Sequence, residues 1–240
     1  VSRLVASSGD PAVARLLLSH PFVDLAENGP ETGIAFTQDG WSRRVFVGRM
    51  EEEQRGILEI MDNNPLVCAD SMSVPSAGAT LALVALGPLA SGGLIAESPT
   101  IVTTEPLEEA EVDALMEPLG WSGGSYVHVE SQAIVGRVAA ATVMVAIHTP
   151  PDLDDIDALF EERYGRTFYV RRDEDSEWDV DLAQGKPYAL YRLRIAPDDP
   201  TSLLTVRVVA DREGKSGAAQ AVHAMNVMAG FEESLGVDGG

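Results

Sequence analysis

The sequence predicts an α/β protein, with a small nucleotide-binding-type lobe followed by an α+β domain built on a mixed or antiparallel sheet. Three observations carry this. A strand, turn and helix open the chain, long β-type runs dominate its second half, and helical patterns fall between those runs.

In order, residues 2–6 read as a strand and residues 7–10 as a turn. Pro11 then opens a helix that puts Val13, Leu16 and Leu17 on one side. Residues 22–25 form a second strand. The glycine-rich ENGPETG stretch reads as irregular, 44–47 as a strand and 51–61 as a helix. Only about 75 residues precede Ala77. A six-stranded dinucleotide-binding sheet, with crossovers of about a dozen residues each, does not fit into them.

Residues 78–89 form a helix rich in small residues, ended by Ser91-Gly92-Gly93. Further helices are expected at 107–116, 152–164 and 218–228, and strands at 133–148, 188–195 and 203–210. The acidic run at 173–181 (DEDSEWDVD) reads as a solvated loop, and there is no internal repeat.

Composition narrows the function classes. With 240 residues, 45% of them hydrophobic, the chain can bury a substantial core. Its longest apolar stretch, 81–89, is about half the roughly 20 residues of a membrane span, so a soluble protein is expected. The N-terminus carries no export signal, which makes the cytoplasm the expected location. Cys68 is the single cysteine, so neither an internal disulfide nor a structural zinc site is expected.

A net charge of −21 argues against nucleic-acid or membrane-surface partners. Lys186 and Lys215 are the only lysines among 17 basic residues. With abundant alanine, valine and glycine, this bias suggests a GC-rich bacterial genome.

Three segments carry a family resemblance. Residues 214–237 (GKSGAAQAVHAMNVMAGFEESLGV) resemble the GKGAAGQAVQNMNLM signature of N-acetyl-gamma-glutamyl-phosphate reductases, with Lys215, Gly217, Gln220, Ala221, Val222, Met225 and Asn226 in place. Residues 14–25 (ARLLLSHPFVDL) resemble the first crossover helix and second strand of the same family. Residues 74–89 (VPSAGATLALVALGPL) are similar to the nucleophile segment, where an NPGC or NPNC turn leads into a helix.

The chain thus resembles the superfamily of these reductases and the aspartate-semialdehyde dehydrogenases. The resemblance implies a reduced Rossmann-like lobe at 1–76, an α+β dimerisation domain at 77–213 and a C-terminal helix at 214–240 returning to the first lobe. A homodimer and a role in bacterial biosynthesis come with it.

The same alignment marks departures. Ala77 stands where the family has its catalytic cysteine, and a methyl group forms no covalent intermediate. A shifted alignment would nominate Cys68 as a displaced nucleophile. Gly9 alone remains of the phosphate-cradling glycines, with Asp10 adding negative charge beside it. No counterpart of the family histidine lies between residues 105 and 125.

The resemblance places a cleft around Ala77, with Ser76, His128, Glu130, Arg137 and His223 as candidate lining residues. His128 and Glu130, two apart on an expected strand, share a face; they read either as a general base with its orienting carboxylate or as exposed strand residues. Arg137 follows a strand motif of the reductases and calls for an anionic partner, either a ligand or an acid such as Asp70 or Glu130. His223 replaces a family glutamine and reads as a cofactor-channel residue or as packing.

His20 and His148 read as structural and as a strand-end surface residue. Trp178 and Tyr188 read as a lid or as core. Asp152, Asp154, Asp155 and Asp157 suit a helix N-terminus better than a metal loop, and no metal is expected.

The expectation is a non-redox small-molecule binder, with cyclase, isomerase or other proton-transfer chemistry and no cofactor. The alternatives are a non-catalytic partner subunit and a residual oxidoreductase using NADP.

Overall fold

The computed structural model describes residues 3–130, 136–174 and 177–237. Two mixed sheets organise it, in agreement with the α/β expectation. The first contains β1 (Leu4–Ser7), β2 (Val23–Leu25), β3 (Ile34–Gln38), β4 (Trp41–Val47) and β5 (Ser71–Val74), in the order β2-β1-β3-β4-β5. β1 and β2 are parallel, joined by helix α1 (Pro11–Ser19). Proline at its first turn and a capping Asp10 start that helix, and Val13 and Leu17 bury its inner side.

The rest of the first sheet is reached economically. β3 and β4 form an antiparallel hairpin whose two-residue turn, Asp39-Gly40, has positive φ at both positions (44° and 90°). Such a turn matches the twist of paired strands. β3 pairs with β1 and β4 with β5, so five strands close with a single crossover helix.

Residues 51–61 are not helical. Here tertiary pairing overrides the propensity of a Glu- and Gln-rich stretch. Gln54 and Gly56 exchange backbone hydrogen bonds with Ser73 (2.8 and 3.1 Å), and Gly56 adopts φ +141°, which a helix excludes. A short 3-10 turn at Asn64–Val67 follows.

The second sheet contains β6 (Thr100–Thr103), β7 (Tyr126–Val129), β8 (Val138–His148), β9 (Val170–Arg172), β10 (Ala189–Ala196) and β11 (Thr201–Asp211), in the order β7-β6-β8-β11-β10-β9. The central pairings are antiparallel; the outer pairs β6–β7 and β9–β10 are parallel. The expected strand at 133–148 begins in part outside the described residues, and β8 starts at Val138.

Helices α2 (Ala77–Ser91), α3 (Glu109–Met116) and α4 (Asp154–Tyr164) pack on one face of this sheet. Val143, Val145 and Ile147 of β8 point into that core, while Thr142, Met144 and Ala146 point to the opposite face. A segment at 177–185 covers only part of the opposite face, over Val138, Ala140 and Val209. Trp178 belongs to this small cluster and Tyr188 packs edge-on to Phe168 (6.3 Å), so both serve packing.

α2 is buried from Gly78 to Ala90. Its small residues let neighbours approach closely: a Cβ on Gly78 would lie 2.8 Å from the Pro106 carbonyl.

α5 (Ala218–Ala229) packs against α1 and the first sheet, sharing its core with Leu4, Phe36 and Met72. Here two of the sequence motifs meet. His20, buried at the end of α1, bonds to Asn226 Oδ1 at 3.0 Å, and its Nδ1 accepts from the Phe22 amide at 3.2 Å. Nδ1 is therefore the acceptor and Nε2 carries the proton. Asn226 Nδ2 in turn donates to the carbonyls of Glu233 and Leu235.

No described helix is long and apolar enough to cross a membrane. His148 ends β8 exposed, as expected, and His20 is structural.

Candidate functional site

The turn between β5 and α2 brings Pro75, Ser76 and Ala77 beside the N-terminus of α5. Ser76 caps α2 and is held from outside by Glu111 on α3. Its amide donates to Glu111 Oε1 (3.0 Å) and its hydroxyl to Oε2 (2.8 Å). A carboxylate thus occupies the start of a helix, where partial positive charge favours an anion. Behind it, Gln220 Nε2 donates to Thr80 Oγ1 at 2.9 Å, leaving its own Oε1 buried without a hydrogen-bond partner. Glu105, which approaches Gly78, is paired with Arg212 (2.9 and 2.6 Å).

The β1–α1 turn is closed in the same way. Asp10 Oδ1 accepts from the amides of Ala12 (2.8 Å) and Val13 (3.2 Å), the donors that a bound phosphate would use. Residues 29–33 lie across the turn. The Gly9 amide donates to Pro30 O (2.6 Å), the Ser8 hydroxyl to Gly33 O (2.7 Å), and a Cβ on Gly29 would fall 2.1 Å from the Ser8 nitrogen.

Between the two turns remains a cavity of about 90 Å³, lined by Asp10, Thr32, Pro75, Ser216 and Gln220 among others. That is the share of roughly three water molecules, against roughly 300–1,000 Å³ for small-molecule pockets.

The other predicted site residues lie elsewhere. His128, on the edge strand β7, is exposed and pairs with Val102, whose neighbour Ile101 enters the helix-side core; His128 therefore faces the opposite side of the sheet. Glu130 is exposed just beyond the strand, its amide bonded to Thr103 O. Neither touches Ser76, Arg137 or His223 through a hydrogen bond or ion pair among the described residues.

Arg137 precedes β8 instead of lying within it, and it is half-exposed. Its partners are Asp211 and Glu213, both at 2.9 Å, rather than Asp70 or Glu130. They border a separate cleft of about 350 Å³ shared with Arg15 and Lys186. Cys68 is exposed at the end of the 3-10 turn. Asp152 accepts from its own helix start and Asp157 pairs with Arg172 (3.0 Å); no metal-binding cluster occurs among the described residues.

His223 is buried in a charged cluster. Its ring stacks on Tyr169 (4.0 Å between centroids, 16° between planes), and Nε2 bonds to Glu233 at 3.1 Å. Nδ1 lies 3.8 Å from Glu59, which accepts two hydrogen bonds from Lys215 Nζ (2.7 and 2.8 Å). Burial opposes the charge on both members of this pair. It holds the Lys215 ammonium below its ordinary pKa, whereas for Glu59 the attraction of Lys215 and His223 wins and keeps the carboxyl below its own.

Sequence reasoning missed Glu59, Glu111, Tyr169 and the Glu105–Arg212 pair. Lys215 carried a signal, as one of two lysines inside a recognised motif.

Burial also pushes His20 and His223 below the ordinary histidine value of 6.5, against the raising effect of their hydrogen bonds to Asn226 and Glu233. The unfolded chain therefore takes up these protons first as pH falls. Their stabilising contribution is complete above about pH 6.5 and declines below it, through the folded-state values. Urea unfolding is expected to show a lower midpoint at pH 5.5 than at pH 7.5. The difference should shrink in His20→Gln/His223→Gln, and equal slopes in both proteins would count against these two groups.

Comparison with known proteins bears on this geometry. No family model matches the chain. It is 23% identical over 235 residues to N-acetyl-gamma-glutamyl-phosphate reductase of Bacillus cereus (strain 03BB102) and 24% identical to that of Bacillus thuringiensis subsp. konkukian (strain 97-27). Each match covers 84% of this chain and 67% of the relative. Two structures of aspartate semialdehyde dehydrogenase II from Vibrio cholerae, one of them complexed with ASA, superpose with TM-scores of 0.61 and 0.62 at 15% identity. They cover 95% of this chain and 99% of theirs.

The chain belongs to the superfamily of these two enzymes. Within the semialdehyde dehydrogenase fold, the His20–Asn226 bond ties the N- and C-terminal motifs together, each completing the other's hydrogen bonding.

Proposed function

We propose that this superfamily member is non-catalytic and works by binding a protein partner, its inherited ligand positions filled by its own carboxylates. The observation that carries the reading is the pair Asp10 and Glu111, each at a helix start where its relatives would place a ligand's negative charge.

Other features support it. Ala77 offers only a methyl group where the resemblance expects a nucleophile, and the cavity at this turn is too small for a nicotinamide or an acyl phosphate. On this reading the protein takes no cofactor. Neither His128 nor Glu130 has a part in chemistry. A cytoplasmic location and a place in bacterial biosynthesis accord with the relatives.

Titration with NADPH and NADH tests the proposal directly. Neither is expected to bind at millimolar concentration, whereas a residual NADP-dependent oxidoreductase would bind well below it. Ala77→Cys is expected to yield no acyl-phosphate reduction, because Asp10 and the 29–33 segment still occupy the cofactor side. Measurable turnover by that variant would sink the reading.

A second reading, a non-redox small-molecule binder with cyclase or isomerase chemistry, finds its support at the 350 Å³ cleft beside Arg137 instead of at Ala77.

A further inference from the structure

Away from the turn at Ser76 and Ala77, a pocket of about 300 Å³ opens where the 51–61 segment meets the helices over the second sheet. Its walls are mostly apolar. Ile60 and Met61 come from that segment, Leu83 from α2, Leu115 from α3 and Leu119 from the 3-10 turn that follows α3. Ile60 packs so closely on α2 that a Cβ on Gly87 would lie 2.6 Å from its Cδ1, which fixes that wall in place. A preformed apolar pocket of this size, with one or two polar groups in its wall, suits a small organic molecule.

The polar group here is Arg55. Among the described residues it makes one side-chain hydrogen bond, from Nη1 to the Glu52 carbonyl (2.9 Å), and no ion pair. Its Nε is buried without a hydrogen-bond partner. Nε and Nη2 are the parallel donors with which a guanidinium grips a carboxylate, and Arg212 turns this same edge to Glu105. In Arg55 the edge has no acid, although the chain carries 38 of them. Burying such a donor without an acceptor is unfavourable, and an incoming anion removes that cost.

The rim limits the charge of the occupant. Glu53 and Asp62 border the pocket without pairing to Arg55; Glu53 is exposed, and Asp62 accepts from the Asn64 amide (3.0 Å). Both repel a second carboxylate on the same molecule.

We propose that this pocket binds a small monocarboxylate with a compact apolar body. The carboxylate sits on the Nε–Nη2 edge of Arg55, and the body lies against Ile60, Leu83, Leu115 and Leu119. Because Gln54 and Gly56 are bonded to Ser73 of β5, the occupant touches a segment held by the first sheet and the helices of the second together. The site is separate from the closed cleft at Ala77, and it does not depend on the reading that the chain works through a protein partner.

The test is calorimetric titration of the full chain with 4-methylpentanoate and with phenylacetate. The amide 4-methylpentanamide controls for the charge, and 3-methylglutarate for a second carboxylate. At least one of the two acids is expected to bind with a Kd below about 1 mM, and the amide and the diacid at least about tenfold more weakly. Arg55→Met should weaken the acid at least about tenfold. Arg55→Lys should fall between, since it keeps the charge and loses the two-donor edge. Leu119→Asp, which sets a carboxylate in the apolar wall, should abolish binding.

Bound acid should also raise the thermal midpoint of the parent chain and leave that of Arg55→Met unchanged, while midpoints without acid report the folding of each variant. Arg55→Gln replaces Arg55→Met if the latter does not fold. The proposal is overturned by the absence of heat and of any midpoint rise at about 10 mM of either acid, by equal affinity for the amide or the diacid, or by binding that the Arg55 and Leu119 variants leave intact. The nicotinamide titration judges the cleft at Ala77 separately, so either reading can fail while the other stands.

Discussion

Lys215→Met is expected to lower the unfolding free energy by about 3–5 kcal/mol, the cost of leaving a buried carboxylate without its counter-charge. Lys215 is wholly buried and donates to both oxygens of Glu59, itself 2% exposed at the side chain. The ammonium also lies 5.4 Å from the centre of the Tyr169 ring, which gives it a second favourable contact. Removing the lysine takes away the main attraction that offsets the burial of Glu59, so its pKa should rise and the variant should lose less stability at acidic pH than at neutral pH. The decisive comparison is Lys215→Met/Glu59→Met. With both charges gone, most of the single-variant loss should return, and urea unfolding of the four proteins in the cycle measures the coupling. A loss under about 1 kcal/mol in Lys215→Met would place the pair in water, contrary to its burial.

Asn226→Ala is the second large effect, expected at about 2–4 kcal/mol, since buried His20 and two part-buried carbonyls lose their bonds at once. The Nε2 proton of His20 loses its acceptor, and the carbonyls of Glu233 and Leu235 lose their donor. The C-terminal stretch after α5 is secured to the α1 turn through this amide, so hydrogen exchange around residues 231–237 should accelerate together with that of residues 20–22. Asn226→Asp distinguishes packing from bonding: it keeps the acceptor for His20 and removes the donor. If it matches the alanine variant in stability, the carbonyl contacts dominate.

Both substitutions test features that sequence reading saw unequally. α1, α2 and α5 were legible because apolar spacing and capping residues act locally, and the long strands β8, β10 and β11 because their runs are continuous. The Asp39-Gly40 pair is a strong hairpin signal, yet the glycine-rich stretch before it masks β3, and the sequence reading reaches only residues 44–47 of β4. Residues 51–61 failed for the opposite reason: good helix formers are tied at Gln54 and Gly56 to Ser73, a partner distant in sequence, and the rest of the segment turns.

The candidate site was legible as a place, at Ser76 and Ala77, but its occupants were not. Glu111 and Asp10 look like ordinary members of helix first turns, and only folding shows which amides they meet. Arg137 was recognised as needing an acid. Its actual partners, Asp211 and Glu213, arrive on β11 and the loop after it, and no local pattern names them.

The carboxylate of Asp10 has a consequence for how such a chain lives in a cell. A protein that holds a dissociable anion at a helix start gains stability only as the logarithm of how far the free ligand exceeds its dissociation constant. A tethered carboxylate is never diluted away, so the helix start is satisfied whatever the metabolite pools contain.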